Sequence, residues 1–163
     1  MFGAQAVNLH GFPRTTADLD ITVDVSDRNL RELLRKLASA GFSPRFSDEA
    51  FIRATRVIPV VHDATAMPID LVLAGPGLEQ RFLAEVELRT IAKRKVPVLT
   101  AEHLVVTKLL AGRPKDLQDV RELIAMRPLD HRTINALLAE LEEALGQSDL
   151  LPLYERLRSE SQS

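Results

Sequence analysis

The segment Gly11-Phe12-Pro13-Arg14-Thr15-Thr16-Ala17-Asp18-Leu19-Asp20-Ile21-Thr22-Val23 alternates polar and apolar residues from Ala17 onward. Side chains on a strand alternate faces with period two, so Asp18, Asp20 and Thr22 are expected on one side. Leu19, Ile21 and Val23 then point the other way, where they can pack under a helix. Two carboxylates held that close repel each other, and a divalent cation is a common remedy. A short acidic pair also fits a plain solvated strand face. The choice between these rests on what the rest of the chain supplies.

A chain of 163 residues fits one domain or a small α/β core with a helical appendage. A hydrophobic content of 45% is enough to build a core, and no run of about 18 apolar residues suggests a membrane span. No basic-then-apolar leader is visible at the N-terminus. Cys is absent, which excludes disulfides and thiolate zinc sites and suits a cytoplasmic location. The formal charge of −2 offers no global electrostatic case for nucleic acid. The basic clusters Lys93-Arg94-Lys95 and Arg113-Pro114-Lys115 read as solvated turns.

Outward from the acidic pair, Gly3 to Leu9 reads as a short helix stopped at His10-Gly11, with Pro13 forbidding continuation. The acidic strand is expected over about Thr16 to Val25. Asp27 can cap a helix carrying Leu30, Leu33, Leu34 and Leu37, with Gly41 as its end. Phe42 to Phe51 reads as a connection with Ser and Asp turn residues and room for one helical turn. Arg56 to His62 and Pro68 to Ala74 are two strand-like runs around a short polar turn, hence a hairpin. In the second, Ile69, Leu71 and Leu73 share a face while Asp70 sits on the other. A charge in mid-strand is seldom placed without a partner, which makes Asp70 a third carboxylate for Asp18 and Asp20. A helix follows at Leu78 to Ala84, then extended pieces at Val86 to Ile91 and Val96 to Leu99.

Thr100 is expected to cap a helix with an apolar stripe of Leu104, Val105, Leu109 and Leu110 and with Lys108 beside it. Gly112-Arg113-Pro114 breaks it. Helical spacing resumes over Asp116 to Met126, Asp130 to Leu145 and Leu151 to Leu157. The expected architecture is therefore α+β: a small mixed sheet flanked by helices, followed by a C-terminal helical region. The division expected is a core over 1–99, helices over 100–158 completing the cleft, and a disordered tail over 159–163.

Three carboxylates on neighbouring strands suit two-metal phosphoryl transfer, in which two Mg2+ ions clamp the attacking and leaving oxygens. A helix starting at Gly3-Ala4 would add backbone N–H groups for a triphosphate, and glycine lets phosphates approach. Arg14 is either a phosphate or acceptor contact or a surface loop charge. His10 reads as a satisfied helix-terminal histidine, and His62 beside Asp63 suggests no metal site.

Gly3-Ala4, then His10-Gly11-x-x-Arg14-x-Thr16-x-Asp18-x-Asp20, then Asp70 in Pro-Ile-Asp-Leu, resembles the minimal nucleotidyltransferases of the DNA polymerase β-like superfamily. The match is nearest to their AbiEii-like toxin group. Thr100 to Leu109 and Ala111 to Asp119 are similar to that group's lysine helix and Lys-Asp-Leu-x-Asp helix. The resemblance implies that Asp18, Asp20 and Asp70 hold metal and that Asp70 helps the attacking hydroxyl lose its proton. It implies that Gly3, Ala4, Arg14, Thr16 and Arg113 lie at the nucleotide, that Lys108 reaches phosphates or acceptor, and that Asp116 orients Lys108 or Arg113. By residue type alone, Lys108 equally suits a snorkelling lysine and Asp116 an N-cap, while Asp119 reads as surface.

The implied reaction is transfer of NMP from an NTP to an acceptor hydroxyl of RNA, such as a tRNA end, or of a protein, as the toxin of a toxin–antitoxin pair with a cognate antitoxin. The alternatives are an antibiotic-type small-molecule nucleotidyltransferase and a non-catalytic interaction protein of the same fold. In the resembled proteins a strand precedes the glycine turn, whereas this chain begins Met1-Phe2-Gly3. Either the start is truncated or that strand is lacking. Its absence would loosen the phosphate cradle and uncover a sheet edge through which an oligomer can form.

Overall fold

The computed structural model describes residues 1–163 apart from Arg14, Asp27, Arg28, Ser47, Gln162 and Ser163. The roles expected of Arg14 at the nucleotide and of Asp27 as a helix cap lie outside the described residues. The chain divides into two units, residues 1–5 with 15–98, and residues 6–14 with 99–163. No helix among the described residues is long and apolar enough to cross a membrane.

The first unit is built on a four-stranded mixed sheet in the order β1-β4-β3-β2, from β1 (Leu19–Val23), β2 (Phe42–Pro44), β3 (Val57–His62) and β4 (Met67–Leu73). β1 runs parallel to β4, and the other neighbours are antiparallel. The alternation read from β1 and β4 decides which face is covered. Ile69, Leu71 and Leu73 join Ile58, Val60, Leu30 and Ile52 in one apolar cluster, with Leu19, Ile21 and Val23 packed against it. Each fully buried Leu or Ile contributes about 1.5–3 kcal/mol relative to exposure.

α2 (Leu30–Ser39) supplies the cover through Leu30, Leu33, Leu34 and Leu37, the helical spacing expected of it. The remaining elements of this unit are α3 (Glu49–Thr55), α4 (Leu78–Ala84) and a separate β5–β6 hairpin, β5 (Glu87–Ile91) with β6 (Arg94–Val98). Lys93, Arg94 and Lys95 are exposed at and beside the tip of that hairpin.

Two expectations for this unit are corrected. The acidic strand is Leu19–Val23, shorter than Thr16 to Val25. The connection Phe42 to Phe51 contains strand β2, while the helical turn expected within it is the start of α3. β2 is three residues ending in proline, and its extended form comes from pairing with Val60, Val61 and His62 rather than from its own pattern. α3 is announced by Asp48, whose carboxylate accepts from the Ala50 N–H at 2.8 Å.

α1 (Gly3–Leu9) is the helix expected there, and its Ala6 and Val7 are buried. The second unit is otherwise helical: α5 (Ala101–Ala111), α6 (Pro114–Met126), α7 (His131–Leu145) and α8 (Leu150–Glu160). Thr100 caps α5 by accepting from the His103 N–H at 3.2 Å, and Asp130 caps α7 by accepting from Arg132 and Thr133. Gly112, at φ 62°, ends α5 in the left-handed conformation, and Pro114 opens α6, where its missing N–H costs nothing.

α5 departs from the expected stripe. Ala101, His103, Leu104, Val105, Val106, Lys108 and Leu109 are all buried, while Leu110 is exposed. A helix apolar nearly all round is a central helix, and α6, α7 and α8 all pack on it. Tyr154, fully buried, is hydrogen-bonded to His131 Nδ1 at 2.6 Å, and burial pushes its phenol up to about 12. The expected tail is corrected at its start, since α8 continues through Ser159 to Glu160, and its end at Gln162 and Ser163 lies outside the described residues.

Candidate active site

Asp20 and Asp70 are direct partners in the parallel register of β1 and β4. Residues paired on adjacent strands share a face, and the apolar partners Leu19, Ile21, Ile69 and Leu71 occupy the other. The two carboxylates therefore rise side by side from neighbouring strands about 4.8 Å apart. Asp18 lies two residues ahead of Asp20, just before β1, and Thr16 Oγ1 donates to its Oδ1 at 2.7 Å. That bond gives Thr16 a definite local task, which is to orient Asp18. Asp18, Asp20 and Asp70 are all partly buried.

Asp70 has a partner that the sequence pattern did not disclose. Arg45 follows β2 directly, and its Nη2 donates to Asp70 Oδ1 in an ion pair. The Arg45 N–H donates to the Pro59 carbonyl at 2.8 Å, and Pro59 is the β3 partner of Asp70. Arg45, Pro59, Asp70 and Asp20 thus form one line across the sheet. Proline is tolerated in this inner strand because its absent donor faces a neighbour that has already ended at Pro44. Only the break of hydrophobic pattern at Pro44-Arg45 hinted at this arginine.

Gly3 closes the other side of Asp20. Phe2 makes an isolated antiparallel bridge to Asp20, its N–H donating to the Asp20 carbonyl at 3.0 Å. Gly3 then enters α1 at φ 66°, and a Cβ built there would overlap the Asp20 carboxylate, with Cγ at 2.7 Å. Glycine is required on both counts, conformation and space. Gly3→Ala is expected to lose about 1–2 kcal/mol from the backbone alone and to displace Asp20, read as a lower thermal midpoint.

In the helical unit, Lys108 Nζ lies 2.8 Å from Asp116 Oδ1 and 2.7 Å from Asp119 Oδ2. All three residues are buried. Asp119, expected at the surface, is thus an inner member of an ion cluster. Arg113 Nε donates to Asp116 Oδ2 at 2.5 Å while its own side chain stays 61% exposed. Asp116 is not the N-cap, a place Arg113 takes, but it stands in the first turn of α6. The Lys108 ammonium is engaged by two carboxylates inside this unit, and Arg113 is the cation of the cluster that faces solvent.

Burial raises the Asp116 pKa, but the hydrogen bonds and charges of Arg113 and Lys108 outweigh it and hold the carboxyl below the ordinary range. A carboxylate whose pKa is lower folded than unfolded stabilises the fold above the unfolded value and loses that contribution as pH falls. Urea midpoints are therefore expected to be flat above about pH 5 and to fall below about pH 4, less steeply in Asp116→Asn.

His10 is satisfied as expected: Nε2 donates to the Leu99 carbonyl at 2.8 Å, and Arg127 donates to Nδ1 at 2.5 Å, which defines a neutral ring. His62 bonds Thr65 Oγ1 at 2.8 Å and packs on Phe42, away from any ligand set. Among the described residues no group of three or more His, Asp and Glu side chains stands ready-made for a metal. Asp18, Asp20 and Asp70 are nevertheless all-oxygen, anionic donors, the chemistry a hard divalent cation takes, and Asp20 and Asp70 stand in register on β1 and β4.

Against known proteins, no curated sequence matches this chain. Its fold is similar to a crystal structure of an antigenic nucleotidyltransferase-like protein from Paracoccidioides brasiliensis, with TM-score 0.56 and 18% identity over 94% of this chain and 82% of that one. The family model described as a nucleotidyltransferase of unknown function, DUF6036, matches residues 1–155. With nearly its whole length matched, the chain belongs to this nucleotidyltransferase family.

Proposed function

We propose that the protein is a metal-dependent nucleotidyltransferase that moves NMP from an NTP to an acceptor hydroxyl and releases pyrophosphate. The observation that carries this reading is the Asp20–Asp70 register pair, with Asp18 oriented by Thr16 beside it. Asp18, Asp20 and Asp70 would hold Mg2+, which when bound supplies Lewis-acid stabilisation of the phosphoryl oxygens. Asp70 would accept the proton of the attacking hydroxyl. Likeness to the DNA polymerase β-like superfamily alone assigns the backbone N–H groups of Gly3 and Ala4 to the triphosphate, since the space beside Gly3 is taken by the Asp20 carboxylate. The likeness to that superfamily assigns Arg113, whose guanidinium is exposed, to a phosphate or the acceptor. Lys108 serves that role indirectly, by fixing Asp116 on which Arg113 is anchored.

Likeness to the AbiEii-like group supports RNA, such as a tRNA end, or a protein side chain as acceptor, and a toxin role with a cognate antitoxin. One observation favours the rival reading of a non-catalytic binding module: Asp70 is already paired with Arg45. The two separate on incubation with each labelled NTP, Mg2+ and either total tRNA or cell protein, with Asp20→Ala as control. Label transfer that requires Asp20 supports the enzyme. No transfer to any acceptor, together with no Mg-NTP binding, overturns it.

A further inference from the structure

Asp20 and Asp70 sit side by side in register, an arrangement in which like charges destabilise a sheet. The Arg45 guanidinium sets a positive charge against Asp70. Its backbone is pinned by the 2.8 Å bond to the Pro59 carbonyl, two strand spacings (about 10 Å) from β4, and the side chain crosses over Pro59, which raises no long side chain in the way. The Arg45 side chain is 37% exposed and that of Asp70 32% exposed, so the arginine can swing into water without unpacking the core. A guanidinium and a divalent cation on the same carboxylate oxygen exclude each other, by space and by like charge.

We propose that Arg45 is the resident counter-charge of Asp70 and competes with the divalent cation for it, so that loading the site requires Arg45 to leave. This inference rests on the metal-dependent reading above. It makes Arg45 a positioning residue: with no cation it neutralises and holds Asp70, and its departure is the step that opens the third carboxylate. The pairing that favours a binding module is then the metal-free state of the site.

The test is Mn2+ binding by the full chain without nucleotide, followed by calorimetry and by the electron paramagnetic resonance signal of free Mn2+. Exposed ion pairs are worth little, so Arg45→Gln is expected to bind Mn2+ about fivefold more tightly than wild type. Arg45→Lys, which keeps the charge, stays close to wild type, and thermal melts of the metal-free variants establish that each is folded. Equal or weaker binding by Arg45→Gln overturns the proposal, as does Arg45→Lys binding as tightly as Arg45→Gln. Adding Asp20→Asn to Arg45→Gln separates the two readings. Asp20-dependent binding of equal strength in wild type and Arg45→Gln sinks only the role of Arg45. Absence of Mn2+ binding in every protein, or binding indifferent to Asp20, sinks the metal site and the competition with it.

Discussion

Asp20→Asn is expected to cut label transfer at least about a hundredfold while leaving the folded state intact. Asparagine keeps the shape of the side chain but removes the charge that a cation would need. Losing one preorganised charge-stabilising group at a reacting centre costs on the order of 10²–10³ in kcat. The apolar cluster does not depend on that charge. Asp20 contributes to the sheet through its backbone, whose carbonyl accepts from Phe2, and its side chain lies on the face opposite the apolar cluster. Removing one of two like charges also eases repulsion with Asp70. The thermal midpoint should therefore move by less than the equivalent of about 0.5 kcal/mol. Single-turnover label transfer and a melt on the same preparation check this, and undiminished transfer would remove Asp20 from the chemistry.

Asp116→Ala is expected to show the opposite behaviour, a large loss of stability. Asp116 is completely buried, and its removal leaves the buried Lys108 ammonium with Asp119 alone. Losing one of two hydrogen bonds to a buried charged group costs about 1.5–3 kcal/mol, because the ammonium keeps only Asp119 away from water. For a chain of this length that corresponds to a midpoint lower by roughly 5–10 °C. Arg113→Ala tests the same cluster from outside. Its guanidinium is largely exposed, so the loss should stay below about 1 kcal/mol. Replacing Lys108, Asp116 and Asp119 together by apolar residues of similar size should recover much of the stability, which a requirement for the charges themselves would forbid. Calorimetry on the variants decides.

Local chemistry is legible wherever a residue's role depends on its immediate neighbours. Thr100, Asp130, Gly112 and Pro114 mark the ends of α5, α6 and α7 because capping is completed within a few residues. The alternation in β1 and β4 sets which side of each strand is buried, so the placing of Asp20 and Asp70 opposite the core follows from spacing alone. The glycine at position 3 was read as room for a phosphate. Its immediate constraint is the Asp20 carboxylate, a contact across the sheet that no local pattern records.

What the sequence determined by itself is therefore the periodic and the capped: the helix cores, the hairpin of β3 and β4, and an acid on the uncovered face of each of β1 and β4. The tertiary structure alone decided the partners. β2 is extended because β3 pairs with it, Arg45 belongs to Asp70 because it lies across Pro59, and Asp119 is buried because α5 covers α6. Each of these is set by residues distant along the chain. The free energy of an ion pair or a strand pairing depends on the distance and burial that folding creates, and these leave no periodicity in the sequence.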